Sequence, residues 1–145
     1  MRFPLSLLAF AAGTVAAAPV PKDFKKVDDA TALVGTWKAH RLTLHGKDDA
    51  NIHTHTFGFD AGGKCHTLYG AGQRSDWTFT LDPKATPKRM TWVSVQGNTK
   101  FDCVYELSGD TLKVGFLSAG QSVPDKVEPG PSVTLYEMTR DKSAK

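Results

Sequence analysis

Between residues 33 and 140 the chain consists of short stretches in which apolar and polar residues alternate, and clusters of glycine, proline and aspartate separate these stretches. Alternation with a period of two places successive side chains on opposite faces of a β-strand, and the clusters suit tight turns. The region has no sustained helical period. The pattern predicts an all-β domain with strands at residues 35–45, 52–59, 64–69, 75–81, 90–95, 100–107, 111–117 and 132–140.

Each predicted strand is apolar on one side only. The opposite side carries polar residues such as Lys38, Thr78 and Glu106. The expected inward-facing residues are Trp37, Phe57, Phe59, Trp77, Phe79, Leu81, Trp92, Phe101, Tyr105, Leu107, Leu112, Val114 and Phe116. One-sided strands joined by short hairpins either stack as two sheets or close on themselves, and closure leaves no exposed edge. We therefore predict an eight-stranded antiparallel up-and-down barrel, with a β-sandwich as the alternative.

The first 18 residues have the features of an export signal. Arg2 is followed by an apolar run over residues 5–12, and small residues 16–18 precede Pro19. The run is too short to cross a bilayer as a helix. We expect cleavage to release a periplasmic or extracellular protein without a transmembrane segment. It would comprise a flexible leader at residues 19–32, one domain at residues 33–141 and a disordered tail at residues 142–145.

The chain has two cysteines, Cys65 and Cys103. An even number in an oxidising compartment favours one disulfide between them. The formal net charge is +3, and the cations are scattered among acids rather than arranged in a stripe. Composition therefore gives no indication of a nucleic-acid partner.

A Gly-x-Trp sequence opens the first predicted strand at Gly35-Thr36-Trp37, and the last strand ends at Arg140. This resembles the Gly-x-Trp of lipocalin-type barrels. The resemblance implies that Trp37 closes one end of the barrel and that Arg140 packs across it. A tryptophan face is a strong partner for a cation, and a guanidinium can stack while it donates hydrogen bonds.

Two further stretches, residues 80–88 and residues 104–113, narrow the resemblance. The second reads Val-Tyr-Glu-Leu-Ser-Gly-Asp-Thr-Leu-Lys. With the Gly-x-Trp they resemble the uncharacterised lipocalin-like domain family that is abundant in planctomycetes, over residues 33–140. The chain departs from that family at Cys103, where a glycine is common, and at Gly115, where a cysteine is common. These departures favour Cys65 as the partner of Cys103. The resemblance implies the fold and assigns no activity.

Aromatic residues on the inward face would wall a ligand pocket, as apolar surfaces with a few polar groups typically do. Our main hypothesis is a non-catalytic binder of a small apolar or amphipathic molecule. The candidate ligand-binding residues are Arg41, His53, His55, Tyr69, Trp77, Trp92, Phe101 and Tyr105. The alternative is a filled core in a structural or protein-interaction module of the cell envelope, with loop residues 118–131 making the contacts.

His53 and His55 share one face of the second predicted strand, and His66 is expected to point to the other face. A structural zinc site needs four ligands, so a histidine-based metal binder is a further alternative and no metal site or cofactor is predicted. The sequence has no Gly-x-Ser-x-Gly, and its acids concentrate in turns, where carboxylates usually bond their own backbone. We therefore expect no enzymatic activity.

Overall fold

The computed structural model describes residues 27–52 and 55–143. The described residues contain one helix, α1 at Asp29–Leu33, and nine strands. The strands are β1 Gly35–Leu44, β2 Lys47–Asp48, β3 Thr56–Phe59, β4 Lys64–Tyr69, β5 Gln73–Asp82, β6 Arg89–Ser94, β7 Lys100–Ser108, β8 Thr111–Phe116 and β9 Thr134–Arg140. No helix of the described part is both long and apolar enough to cross a membrane.

The strands form one closed antiparallel barrel. The sheet order is β2-β1-β3-β4-β5-β6-β7-β8-β9, and β9 also pairs with β1. The β1–β9 ladder runs from Trp37 opposite Arg140 to Leu44 opposite Thr134, so the sheet closes on itself. Eight strands form the barrel wall. The two-residue strand β2 only pairs with the last residues of β1. The barrel prediction is confirmed, and the sandwich alternative is wrong.

The barrel interior holds the residues that alternation assigned to it. All thirteen predicted inward-facing residues belong to the apolar core or pack against it. Trp92 is 3% exposed, and its ring lies within 6.0–6.5 Å of the rings of Phe57, Phe59, Trp77 and Phe116. Burial of these large aromatic side chains supplies much of the apolar stabilisation of the fold.

One end of the barrel, here called the helix end, is closed by α1. The Trp37 indole donates to the carbonyl of Leu33 at 2.9 Å, and Arg140 lies over the Trp37 ring. Gly35 has φ +129°, and a Cβ on it would lie 2.9 Å from Nη1 of Arg140. The glycine of the Gly-x-Trp is therefore required by its backbone conformation and by the packing of Arg140.

The flexible leader predicted at residues 19–32 is wrong for its last part. Asp28 caps α1 by accepting from the Thr31 amide at 2.8 Å. Asp29 accepts from Lys88 at 2.6 Å and from the Tyr105 hydroxyl at 2.7 Å, which fixes the helix to β7. Lys142, the first residue of the predicted disordered tail, forms an ion pair with Asp110 at 2.6 Å. The predicted export signal, the leader up to residue 26 and residues 144–145 lie outside the described residues.

The opposite end, here called the loop end, carries the connections between β2 and β3, β4 and β5, β6 and β7, and β8 and β9. The strand predicted at residues 52–59 is shorter than expected, because β3 begins at Thr56. The His55 amide donates to the carbonyl of Ile52 at 3.0 Å, a turn that ends the connection just before β3. This turn places His55 at the loop end.

Candidate functional site

A cavity of about 620 Å³ opens at the loop end of the barrel. Its volume lies within the range of small-molecule sites. The connection between β2 and β3 forms one side, and the end of β4 with the start of β5 forms the other. The lining residues are Ala50, Asn51, His55, Tyr69, Gly70, Ala71 and Gln73. We call this the loop-end cavity.

His55 and Tyr69 are the ring-bearing residues of the loop-end cavity. Their rings meet edge to face, with centroids 4.8 Å apart. The ring of Tyr136, which is 7% exposed, lies 6.0 Å from that of His55 and 4.9 Å from that of Phe57. The cavity therefore lies directly on the aromatic core.

The surroundings of the His55 imidazole disfavour its charged form. Its Nδ1 is buried and has no hydrogen-bond partner among the described residues. Protonation would require both ring nitrogens to carry hydrogen, and the buried one has no acceptor there. Burial accordingly lowers the pKa of His55, and the carboxylate of Asp49 opposes this only in part.

Neighbouring phenols share this poorly solvated environment. Burial raises the pKa of Tyr69, although a hydrogen bond with Thr67 opposes the shift. Burial also raises the pKa of Tyr136, with smaller contributions from Tyr69 and Asp49. Both phenols are neutral at physiological pH, so Asp49 is the nearby charge that both His55 and Tyr136 experience.

The structure brings Trp77, Trp92 and Phe101 together, but as a packed cluster. The rings of Trp77 and Trp92 are 6.5 Å apart, and those of Trp77 and Phe101 are 5.8 Å apart. Centroid separations of about 4.5–7 Å mark rings in direct contact. The Trp77 ring is therefore in direct contact with the rings of both Trp92 and Phe101. Tyr105 lies at the helix end, with its hydroxyl bound to Asp29, so it takes no part in the cluster.

Arg41, a predicted ligand-binding residue, does not point into the barrel interior. The register of β1 against β9 shifts between Ala39 and Arg41, which is a β-bulge. Beyond it Arg41 is on the outer face, where it pairs with Asp48 at 3.0 Å and with Glu137 at 3.1 Å. The exposed fraction of its side chain is 46%. Arg41 is an ordinary surface cation that ties β1 to its two neighbours.

Cys65 and Cys103 are free thiols in the structure, so the predicted disulfide is not present. Both side chains point into the barrel, and the two residues are 3% and 0% exposed. Burial raises the pKa of Cys65 to about 12 and raises the pKa of Cys103 still further. Neither thiol has the exposed, electropositive setting of a reactive cysteine.

The histidines do not form a cluster in the described structure. His53 lies outside the described residues. His66 is on the outer face of β4, between the inward-facing Cys65 and Thr67. Across residues 27–52 and 55–143, no group of three or more His, Cys, Asp or Glu side chains is arranged to hold a metal ion.

Sequence reasoning identified the two aromatic residues of the cavity and missed its rim. His55 and Tyr69 are candidates because both are polar groups expected to point into the same space as the inward-facing aromatic residues. Asn51 and Gln73 belong to connections or strand ends, where alternation carries no information about direction. The sequence signal for either residue is its position alone. Asn51 directly precedes the predicted strand that holds His55, and Gln73 lies in the connection that follows the predicted strand that holds Tyr69.

Comparison with known proteins gives no relative for this chain: no protein-family model, no curated protein and no solved structure matches it. Membership of the lipocalin-like family therefore stays a prediction that rests on the Gly35-Thr36-Trp37 motif and the stretches at residues 80–88 and 104–113. The evidence for the barrel is separate, because it is the closed pairing of the strands.

Proposed function

We propose that the loop-end cavity binds a small neutral amphipathic molecule. The observation that carries this proposal is Nδ1 of His55, which is buried in the cavity wall without a partner in the described chain. An unsatisfied buried polar atom costs about 1–3 kcal/mol, and such atoms in native proteins call for an explanation. A polar group of a ligand that reached the imidazole would offset that cost after a small rotation of the ring.

The composition of the cavity favours an amphipathic ligand. Ala50, Ala71 and the ring of Tyr69 offer apolar contact, while Asn51 and Gln73 offer amide donors and acceptors. Small-molecule sites commonly combine apolar surface with a few polar groups that fix orientation. Since the rings beneath are in direct contact, the ligand would lie across the barrel mouth rather than within the barrel.

Charge favours a neutral ligand over an anionic one. No lysine or arginine is among the residues that line the cavity. The carboxylate of Asp49 is close enough to raise the pKa of both His55 and Tyr136. An anionic headgroup would be repelled by Asp49 and would gain no cation in return.

Titration with two neutral probes, N-phenylnaphthylamine by its own fluorescence and decanol by competition, tests the proposal. We expect saturable binding that weakens roughly tenfold in His55→Phe, because that variant keeps the ring but removes the polar atoms. Tyr69→Ala removes one apolar wall and should weaken binding by a similar factor.

His40→Phe is the matched control, because it makes the same change at an exposed position of β1. It should bind both probes like the unaltered protein. The proposal fails if the unaltered protein binds neither probe, or if His55→Phe and His40→Phe bind them equally well.

We also propose that the protein acts outside the cytoplasm, on the basis of residues 1–18 alone. The mass of the protein recovered from its own cells tests this. A chain that begins near Pro19 in the periplasmic or extracellular fraction would support export, whereas an uncleaved chain in the cytoplasm would refute it.

A further inference from the structure

A second cavity, of about 670 Å³, lies on the outer face of the barrel across β1, β3, β4 and β5. We call it the outer groove, and its principal residues are Thr36, Gly58, Lys64, His66, Asp76 and Val95. The core residues Phe59, Cys65 and Trp77 also contribute to its lining, and it shares no lining residue with the loop-end cavity.

Strand register brings polar residues of the groove into one row. Thr36 lies opposite Gly58, Gly58 opposite His66, and His66 opposite Asp76, so they form one row across four strands. Gly58 has no side chain, and the His66 imidazole fills its place: a Cβ there would lie 2.1 Å from Cε1 of His66. The His66 ring therefore covers Gly58 and lies in the row between Thr36 and Asp76.

Several polar groups around the groove are left available. Nε and Nη2 of Arg74 both bond the same oxygen of Asp76, Oδ1, at 2.9 and 2.8 Å. The other oxygen, Oδ2, has no hydrogen-bond partner in the described structure, and neither does the hydroxyl of Thr36. The ammonium group of Lys64 makes no ion pair with any described carboxylate. One acceptor, one donor and one hydroxyl thus face the same groove.

The charges around the groove balance. Lys64 and Arg74 supply two cations, while Asp60 and Asp76 supply two carboxylates. Burial lowers the pKa of His66, and Arg74 adds to that effect while Asp76 opposes it, so the ring is neutral at physiological pH. The lining therefore carries no net formal charge, and net charge favours neither an anion nor a cation.

Apolar side chains also line the groove. Val95 is 63% exposed, and Val34 and Ala61 line the same groove. A neutral ligand that donates and accepts hydrogen bonds at several points and also presents apolar C–H surface matches this lining. Sugar rings have this combination of hydroxyls and C–H faces. We propose that the outer groove is a second binding site, and that it takes a neutral oligosaccharide.

Calorimetric titration of the full chain with the neutral disaccharides cellobiose, maltose and N,N′-diacetylchitobiose tests this inference. At least one should bind saturably. Asp76→Asn and Thr36→Val should each weaken that binding roughly tenfold, because the first replaces a carboxylate acceptor with an amide donor and the second removes a hydroxyl, while both nearly preserve shape. Circular dichroism and thermal midpoints establish that both variants are folded.

His55→Phe serves as the control that separates the two sites, since it alters only the loop-end cavity and should bind the disaccharide normally. Failure of all three disaccharides to bind would overturn the inference. Unchanged affinity in both Asp76→Asn and Thr36→Val would also overturn it, as would a preference for charged polygalacturonate over every neutral sugar. None of these outcomes bears on the binding of decanol at the loop end.

Discussion

The guanidinium of Arg140 lies over the indole ring of Trp37, with Cζ 4.3 Å from the ring centroid. The same side chain donates to the backbone carbonyls of Val34, at 2.7 Å, and Ala32. Nε of Arg140 also bonds Asp110 at 3.2 Å. One residue at the end of β9 thereby joins the first strand, the helix and the β7–β8 turn.

Arg140→Met should lower the free energy of unfolding by about 2–4 kcal/mol, because it removes a cation–π contact and charge-assisted hydrogen bonds. The free energy of unfolding of Arg140→Lys should lie between those of Arg140→Met and the unaltered protein, since lysine keeps the charge and loses the planar fork. Lys142→Met, at an exposed ion pair with the same Asp110, should change stability by less than about 1 kcal/mol. Denaturant unfolding measures all three, and equal values for Arg140→Met and Lys142→Met would contradict the account.

Gly58→Ala should destabilise the protein by about 1–3 kcal/mol, because the added methyl meets the His66 ring. In a His66→Ala background the same change should cost much less. A double-mutant cycle measured by urea unfolding isolates this coupling. Additive effects of the two substitutions would show that the ring does not occupy the space above Gly58.

Acidification should weaken the protein through His55. Because burial lowers the pKa of His55 in the folded state, the unfolded chain binds more protons between that pKa and about 6.5. The free energy of unfolding should therefore fall as pH falls through this window, and His66 acts in the same direction. Titration of the imidazole resonances by NMR checks the sign, and a His55 midpoint above 6.5 would refute it.

The two thiols should be protected rather than bonded. Ellman's reagent should leave Cys65 and Cys103 unmodified in the folded protein, because both are buried and the thiolate is the reactive form. After unfolding without reductant, both should react. An unfolded, unreduced chain with no reactive thiol would instead indicate a disulfide.

The sequence allows the barrel to be predicted because alternation, turns and the Gly-x-Trp agree with one another. Arg41 was misplaced because alternation was followed straight through β1. Its apolar positions change phase, however: Trp37 and Ala39 are buried before the bulge, and Leu42 after it. That change of phase was the one sign of the bulge in the sequence.

Other features depend on spatial neighbours that no local pattern encodes. Val104 and Leu135 alternate with inward-facing residues, yet they are 0% and 1% exposed, because the methyl groups of both pack over Gly115 on the outer face. The rim of the loop-end cavity comes from separate connections in the same way. The sequence does not predict helix α1, because five residues are too few to show a helical period, and most of the helix falls in the predicted leader.

The proposed amphipathic ligand binds at the loop end and not between the core aromatics. Backbone amide chemical shifts recorded during a decanol titration test this placement, because the residues whose shifts change and saturate locate the bound ligand. The account predicts that the saturating shifts cluster at Asn51, His55, Gly70 and Gln73. Shifts centred on Trp92 and Phe101, or no saturating shifts at all, would contradict it.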